Sequence, residues 1–89
     1  MSPDQPQRAE IEFPFEWNGR VVATNSRVTL TSLRGALLAE GVDEPIRKGR
    51  QSATGRYATY RITITFEDRA QMDRILAALA RTEGVKIVL

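Results

Sequence analysis

Apolar and polar positions alternate strictly from Tyr57 to Phe66: Ala58, Tyr60, Ile62, Ile64 and Phe66 make one set, Tyr57, Thr59, Arg61, Thr63 and Thr65 the other. A period of two sends successive side chains to opposite faces, so this stretch predicts a strand with one face in a core and one polar face. The same rhythm runs through "IEFPFEWNGRVVATN", where Ile11, Phe13, Phe15 and Trp17 alternate with Glu12, Pro14, Glu16 and Asn18. Pro14 cannot donate to a ladder, so the paired part of this first strand is expected after it. Asn18-Gly19 leaves two alternatives open. Both residues tolerate the positive φ of a type I′ turn, so the chain either folds back as a hairpin through Val21, Val22 and Ala23, or uses the pair as a bulge or strand end.

Between Asn25 and Gly41 the spacing changes to that of a helix, with Leu30, Leu33, Leu37 and Leu38 on one stripe. Thr29 or Thr31 is expected to cap its start, and Gly41 to end it in a left-handed conformation. "IRKGRQ" (46–51) follows Pro45 as a short polar strand whose Arg47, Lys48 and Arg50 suit a sheet edge kept unattractive to other strands. "SATGR" turns the chain through Gly55. A second helix begins at Asp68, with Gln71 three residues on in a capping-box-like start. Met72, Ile75, Leu76, Leu79 and Ala80 are its core face, and Gly84 stops it. "VKIVL" is a last short strand, with Val85, Ile87 and Leu89 expected on one side and Lys86 and Val88 on the other.

The order β, α, β, β, α, β is the split-βαβ arrangement of an α+β, ferredoxin-like two-layer sandwich. Right-handed crossovers then place both helices on one face of a four-stranded antiparallel sheet, with strands one and three central. Residues 11–89 are read as one such domain, and 1–10, with Pro3 and Pro6 among polar residues, as a disordered tail. The chain has 89 residues, 42% hydrophobic and 27% charged, in the range of ordinary globular domains. No apolar run approaches a membrane span, and the start lacks the apolar segment of a signal peptide, which points to a cytoplasmic protein.

There is no histidine and no cysteine. That removes disulfides, thiolate nucleophiles, Ser-His and Cys-His pairs, and the metal sites that depend on those ligands. No catalytic residue, metal ligand or cofactor site is assigned, and Glu67, Asp68 and Asp73 are read as capping and helix solvation. A net charge of +2 is a mild excess.

"SATGRY" leading into "RITITF", a helix entered through "EDRAQMDRI" and the end "GVKIVL" together resemble the YbeD-like family of small bacterial proteins of unknown function. The resemblance spans residues 50–89, including Ser52, Gly55, Tyr57, Thr63, Gln71, Val85, Lys86, Val88 and Leu89, and in the front half rests on "FPF" at 13–15. It implies an ACT-like version of the ferredoxin-like fold, a kind of regulatory domain that binds small ligands and associates through its sheet. It implies no enzymatic reaction.

Two surfaces stand out as candidate sites. The cationic group Arg47, Lys48, Arg50, Arg56 and Arg61 is an anion or acidic-partner site if its guanidiniums fork onto carboxylate or phosphate, and edge protection otherwise. Arg50, Arg56, Tyr57 and Arg61 are the residues picked out for a ligand or partner. The last strand, Lys86, Ile87, Val88 and Leu89, is the expected edge of a homodimer. The expected function is a non-enzymatic regulatory or interaction module that binds a small anionic metabolite or a protein partner. The alternative is a weak RNA-binding domain using Arg56, Arg61 and Tyr57, against which stands the parity that turns Tyr60 and Phe66 inward, leaving few aromatics for bases to stack on.

Overall fold

In the computed structural model, residues 11–89 are described; the tail read at residues 1–10 lies outside them. Strand β1 (Phe15–Thr24) and strand β3 (Tyr57–Phe66) pair antiparallel without a break, from Phe15 opposite Phe66 to Thr24 opposite Tyr57. Helix α1 (Arg27–Ala39) and strand β2 (Ile46–Gln51) lie between them in the chain, and helix α2 (Arg69–Arg81) and strand β4 (Val85–Val88) follow. The sheet order is β2-β3-β1-β4, all neighbours antiparallel, which is the ferredoxin-like arrangement.

The alternation in β3 does what its period requires: Ala58, Tyr60, Ile62, Ile64 and Phe66 are buried, and Arg61, Thr63 and Thr65 are exposed. Leu33 and Leu37 from α1 and Ile75 and Leu79 from α2 join them in one core with Val21 and Ala23, so both helices cover the same face. Burying each large aliphatic side chain contributes about 1.5–3 kcal/mol. The Tyr60 hydroxyl, carried into this core, donates to the carbonyl of Thr24 at 3.3 Å.

Asn18-Gly19 is neither a turn nor a bulge nor a strand end. The pair sits inside β1, opposite Thr63 and Ile62, and the Thr63 hydroxyl donates to Asn18 Oδ1 at 2.9 Å. A turn there would have forfeited half of the β1–β3 ladder and the burial of Val21 and Ala23. The glycine has a different purpose: the Trp17 indole lies across it on the core face, and a Cβ at this position would fall inside three atoms of that ring. Trp17 in turn packs on Phe66 with centroids 5.7 Å apart, and Phe66 stacks with Phe15 at 6.5 Å. Pro14 stands just outside the ladder, which begins at Phe15.

Other expectations shift by small amounts. Ser26, not Thr29 or Thr31, caps α1: its extended backbone lets Oγ accept from Thr29 N–H at 3.0 Å, and Thr29 itself is buried. Leu38 is half exposed, because the stripe that faces the sheet is Thr29, Leu33 and Leu37. Helix α1 ends in a Schellman motif, with Gly41 at φ 81° and Val42 N–H donating to the Leu37 carbonyl at 2.9 Å. In α2, Asp68 accepts from Gln71 N–H at 2.8 Å, while the Gln71 side chain reaches back to Glu67 N–H rather than to the cap itself. Ala78, not Ala80, completes its buried face.

In β4 the expected alternation fails at a bulge. Val88 pairs with Val21 and Ile87 with Val22, but Val85 pairs with Ala23, so the register slips by one. Val85 and Val88 both pack against the core, and the two residues between them, Lys86 and Ile87, are both exposed. A strand of strict period two, as its sequence suggested, would have placed Val85 and Val88 on opposite sides.

The contact between Trp17 and Gly19 yields a test. Gly19→Ala is expected to destabilise the protein by about 1–3 kcal/mol, since the new methyl must displace a packed indole. In the Trp17→Ala background the same change should cost much less, a coupling that a double-mutant cycle followed by urea unfolding measures directly.

Candidate functional site

The helices leave the other face of the sheet uncovered. Its residues follow from the ladders: Glu16, Asn18, Arg20, Val22 and Thr24 from β1, and Tyr57, Thr59, Arg61, Thr63 and Thr65 from β3. In this register Arg61 is directly opposite Arg20 on one side and Arg47 of β2 on the other. Three arginines therefore stand in one row across three adjacent strands, spanning about 10 Å from first to last Cα. An open groove of about 620 Å³ runs over the row, with Asn18, Thr63 and Glu44 also lining it.

Like charges directly opposite on a sheet are unfavourable. Among the described residues no direct contact relieves the cost: the guanidiniums of Arg20, Arg47 and Arg61 have no hydrogen-bond or ion-pair partner there, and the ion pair present is Arg74 with Glu40, at 3.4 Å. Gly49 contributes by absence. A Cβ there would lie 3.5 Å from Arg61 Nε and 3.9 Å from its Cδ, so the central arginine lies low across a stretch of β2 that carries no side chain.

The other candidate residues are dispersed. Lys48 leaves the cationic group, since its register with Tyr60 turns it to the helix side and its Nζ donates to Asn25 Oδ1 at 2.9 Å. Arg56 is exposed in the β2–β3 turn, where its carbonyl accepts from Asn25 N–H. Arg50 lines a separate, smaller hollow of about 220 Å³ with Val22, Tyr57 and Thr59. Tyr57 is on the open face but half buried, with Lys86 Nζ 5.6 Å from its ring centroid. Of the edge residues, Ile87 and Leu89 are about half exposed at 49% and 56%, Lys86 covers Tyr57, and Val88 packs inward.

Arg20 was not among the residues picked out from sequence. Its signal was present in the parity of β1: reading Asn18-Gly19 as strand interior puts Arg20 on the same face as Asn18 and Thr24, and an unbroken β1–β3 ladder then fixes it beside Arg61.

Comparison with known proteins agrees with this architecture. The chain belongs to the DUF493 family of proteins of unknown function, whose model matches residues 8–89. No curated protein matches it. Among solved structures it is similar to the protein HP0495 from Helicobacter pylori, with a TM-score of 0.82 at 16% identity over 100% of this chain and 94% of that one. A second solution structure of HP0495 superposes with a TM-score of 0.63 at 17% identity, covering 99% of this chain and 100% of that one. The ACT domain of a GTP pyrophosphokinase from Chlorobium tepidum gives a TM-score of 0.61 at 19% identity, over 84% of this chain and 95% of that one. These likenesses define an ACT-like fold. No helix among the described residues is long and apolar enough to cross a membrane.

A row of uncompensated charges has a measurable consequence without any ligand. Arg61→Thr, which continues the threonine pattern of β3, is expected to raise stability by about 0.2–1 kcal/mol at low ionic strength. The gain should vanish in about 1 M salt, where the screening length falls to about 3 Å. Paired denaturation curves at the two salt concentrations check it.

Proposed function

We propose that this chain is a non-enzymatic regulatory or interaction module that receives an anionic ligand or an acidic partner on the open face of its sheet. The observation that supports this reading is the Arg47–Arg61–Arg20 row, held in register by the central ladders at an electrostatic cost, with its donors unused among the described residues. Arginines at such spacing suit carboxylate or phosphate, which accept paired N–H bonds from the planar fork. The ACT domain of similar fold comes from a GTP pyrophosphokinase, so this fold does occur as an accessory part of an enzyme, and that precedent supports a regulatory role.

The edge strand supports a second element of the reading, self-association. Among the described residues β4 pairs with β1 on one side only, and Ile87 and Leu89 expose apolar surface beside its other edge. Pairing with the same edge of another copy would extend the sheet across a two-fold axis and cover both residues.

Thermal unfolding at low salt tests the ligand face. A ligand at about 100 times its Kd stabilises by about 2.7 kcal/mol, enough for a shift of several degrees in a domain of this size. A panel of small polyanions, acidic peptides and RNA is expected to contain such a ligand, and the Arg20→Ser, Arg61→Thr double variant should not respond. A flat response from every member would refute the proposal. For self-association, sedimentation velocity should show a concentration-dependent dimer that Ile87→Lys reduces to monomer; a wild-type protein that stays monomeric at high concentration removes the dimer.

A further inference from the structure

Resting on the reading that the open face binds anions, we infer that its ligand is a small multivalent oxyanion carrying two or three phosphate or carboxylate groups, held by Arg20, Arg47 and Arg61 together. The shape of the charge carries this. The row runs across the strands and is one residue wide; the next outward positions along β1 and β3 are Asn18 and Thr63 on one side and Val22 and Thr59 on the other, all uncharged. One step further Glu16 faces Thr65, and Glu44 lines the groove beside Arg47. The three guanidiniums thus stand within about 10 Å, with carboxylates on the Asn18 and Thr63 side and, past Val22 and Thr59, Arg50 and Lys86 beside Tyr57 on the other. A polynucleotide or a long acidic segment continued past the row toward Glu16 and Glu44 would run onto repulsive ground, whereas a compact ligand stays on the three arginines.

Stacking is also missing where it would be needed. The described aromatic on this face, Tyr57, is four residues from Arg61 along β3, about 13 Å away, and Lys86 covers its ring. A single covered ring at that distance is a poor platform for the successive base stacking by which single-stranded nucleic acids are held. Within the row, each guanidinium offers up to five N–H donors in a fixed fork. Three forks side by side can each take a separate anionic group, so a ligand with several such groups gains what a lone phosphate cannot. Thr63, whose hydroxyl donates to Asn18, adds a polar wall on one side.

The test uses the full chain at low salt, with titrations of tripolyphosphate, citrate, orthophosphate, a single-stranded RNA oligomer and a glutamate-rich peptide, followed by calorimetry and by backbone amide shifts. Tripolyphosphate or citrate, or both, should bind at least about tenfold tighter than orthophosphate and tighter than the two polymers; the arm that wins tells phosphate from carboxylate chemistry. The shifts should centre on Arg20, Gly49 and Arg61. Arg61→Ala and Arg20→Gln should each weaken binding by roughly tenfold or more, the loss expected for a charge-assisted hydrogen-bonding partner, while Arg56→Ala leaves it within about twofold. Tighter binding of RNA or peptide through the same arginines would overturn this inference and leave the anion-binding face standing. Binding that ignores both substitutions, with amide spectra showing intact folds, or no binding by any arm, would overturn it together with the broader reading.

Discussion

The antiparallel ladder between β1 and β3 is the constraint on which the other features depend. It pairs ten positions of each strand without a slip. Because side chains alternate, a shift of one residue would move Ile62 and Ile64 to solvent and Arg61 into the space between the helices. The pairing that builds the core is therefore the same pairing that aligns the arginines on the far side. Neither can be altered without the other, and the energy that holds the charged row in place is the hydrophobic energy of the opposite face.

How far the sequence disclosed this depends on the distance over which each signal acts. The strand at 57–66, the cap at Asp68 and the left-handed end at Gly41 are written in short-range patterns, and the molecule follows them. Asn18-Gly19 carries an equally strong local signal for a turn, yet the ladder and the Trp17 ring overrule it, because both involve residues far apart in the chain. The bulge opposite Val22 and Ala23 is invisible for a related reason: "VKIVL" alternates well enough on its own, and the slip comes from fitting Val85 and Val88 to the same core. Arg20 became legible only once the turn at Asn18-Gly19 was discarded. Lys48 went the other way, since no local pattern foretells its hydrogen bond to Asn25.

Sheet and helices divide the tasks of this small fold. Stability resides in one apolar layer where α1 and α2 meet β1 and β3, and that layer takes up most of the large aliphatic side chains. The opposite surface is built mainly from threonine, asparagine and arginine. Polar groups of this kind are tolerated on an uncovered sheet, but three adjacent cations go beyond tolerance, and the price is accepted on a face that has no structural need of them.

Asn25 occupies a small but consequential position. Its main chain and side chain donate to the carbonyls of Arg56 and Gly55, and its side-chain oxygen accepts from Lys48, so one residue at the mouth of α1 grips β2 and the turn that follows it. The outermost strand, polar and bare of core contacts except at Ile46, would by itself be the first part of the sheet to peel away. Latched at that corner, it detaches at the cost of the bonds that anchor it to the entrance of the first helix, so this border of the molecule shares in the cooperativity of its centre.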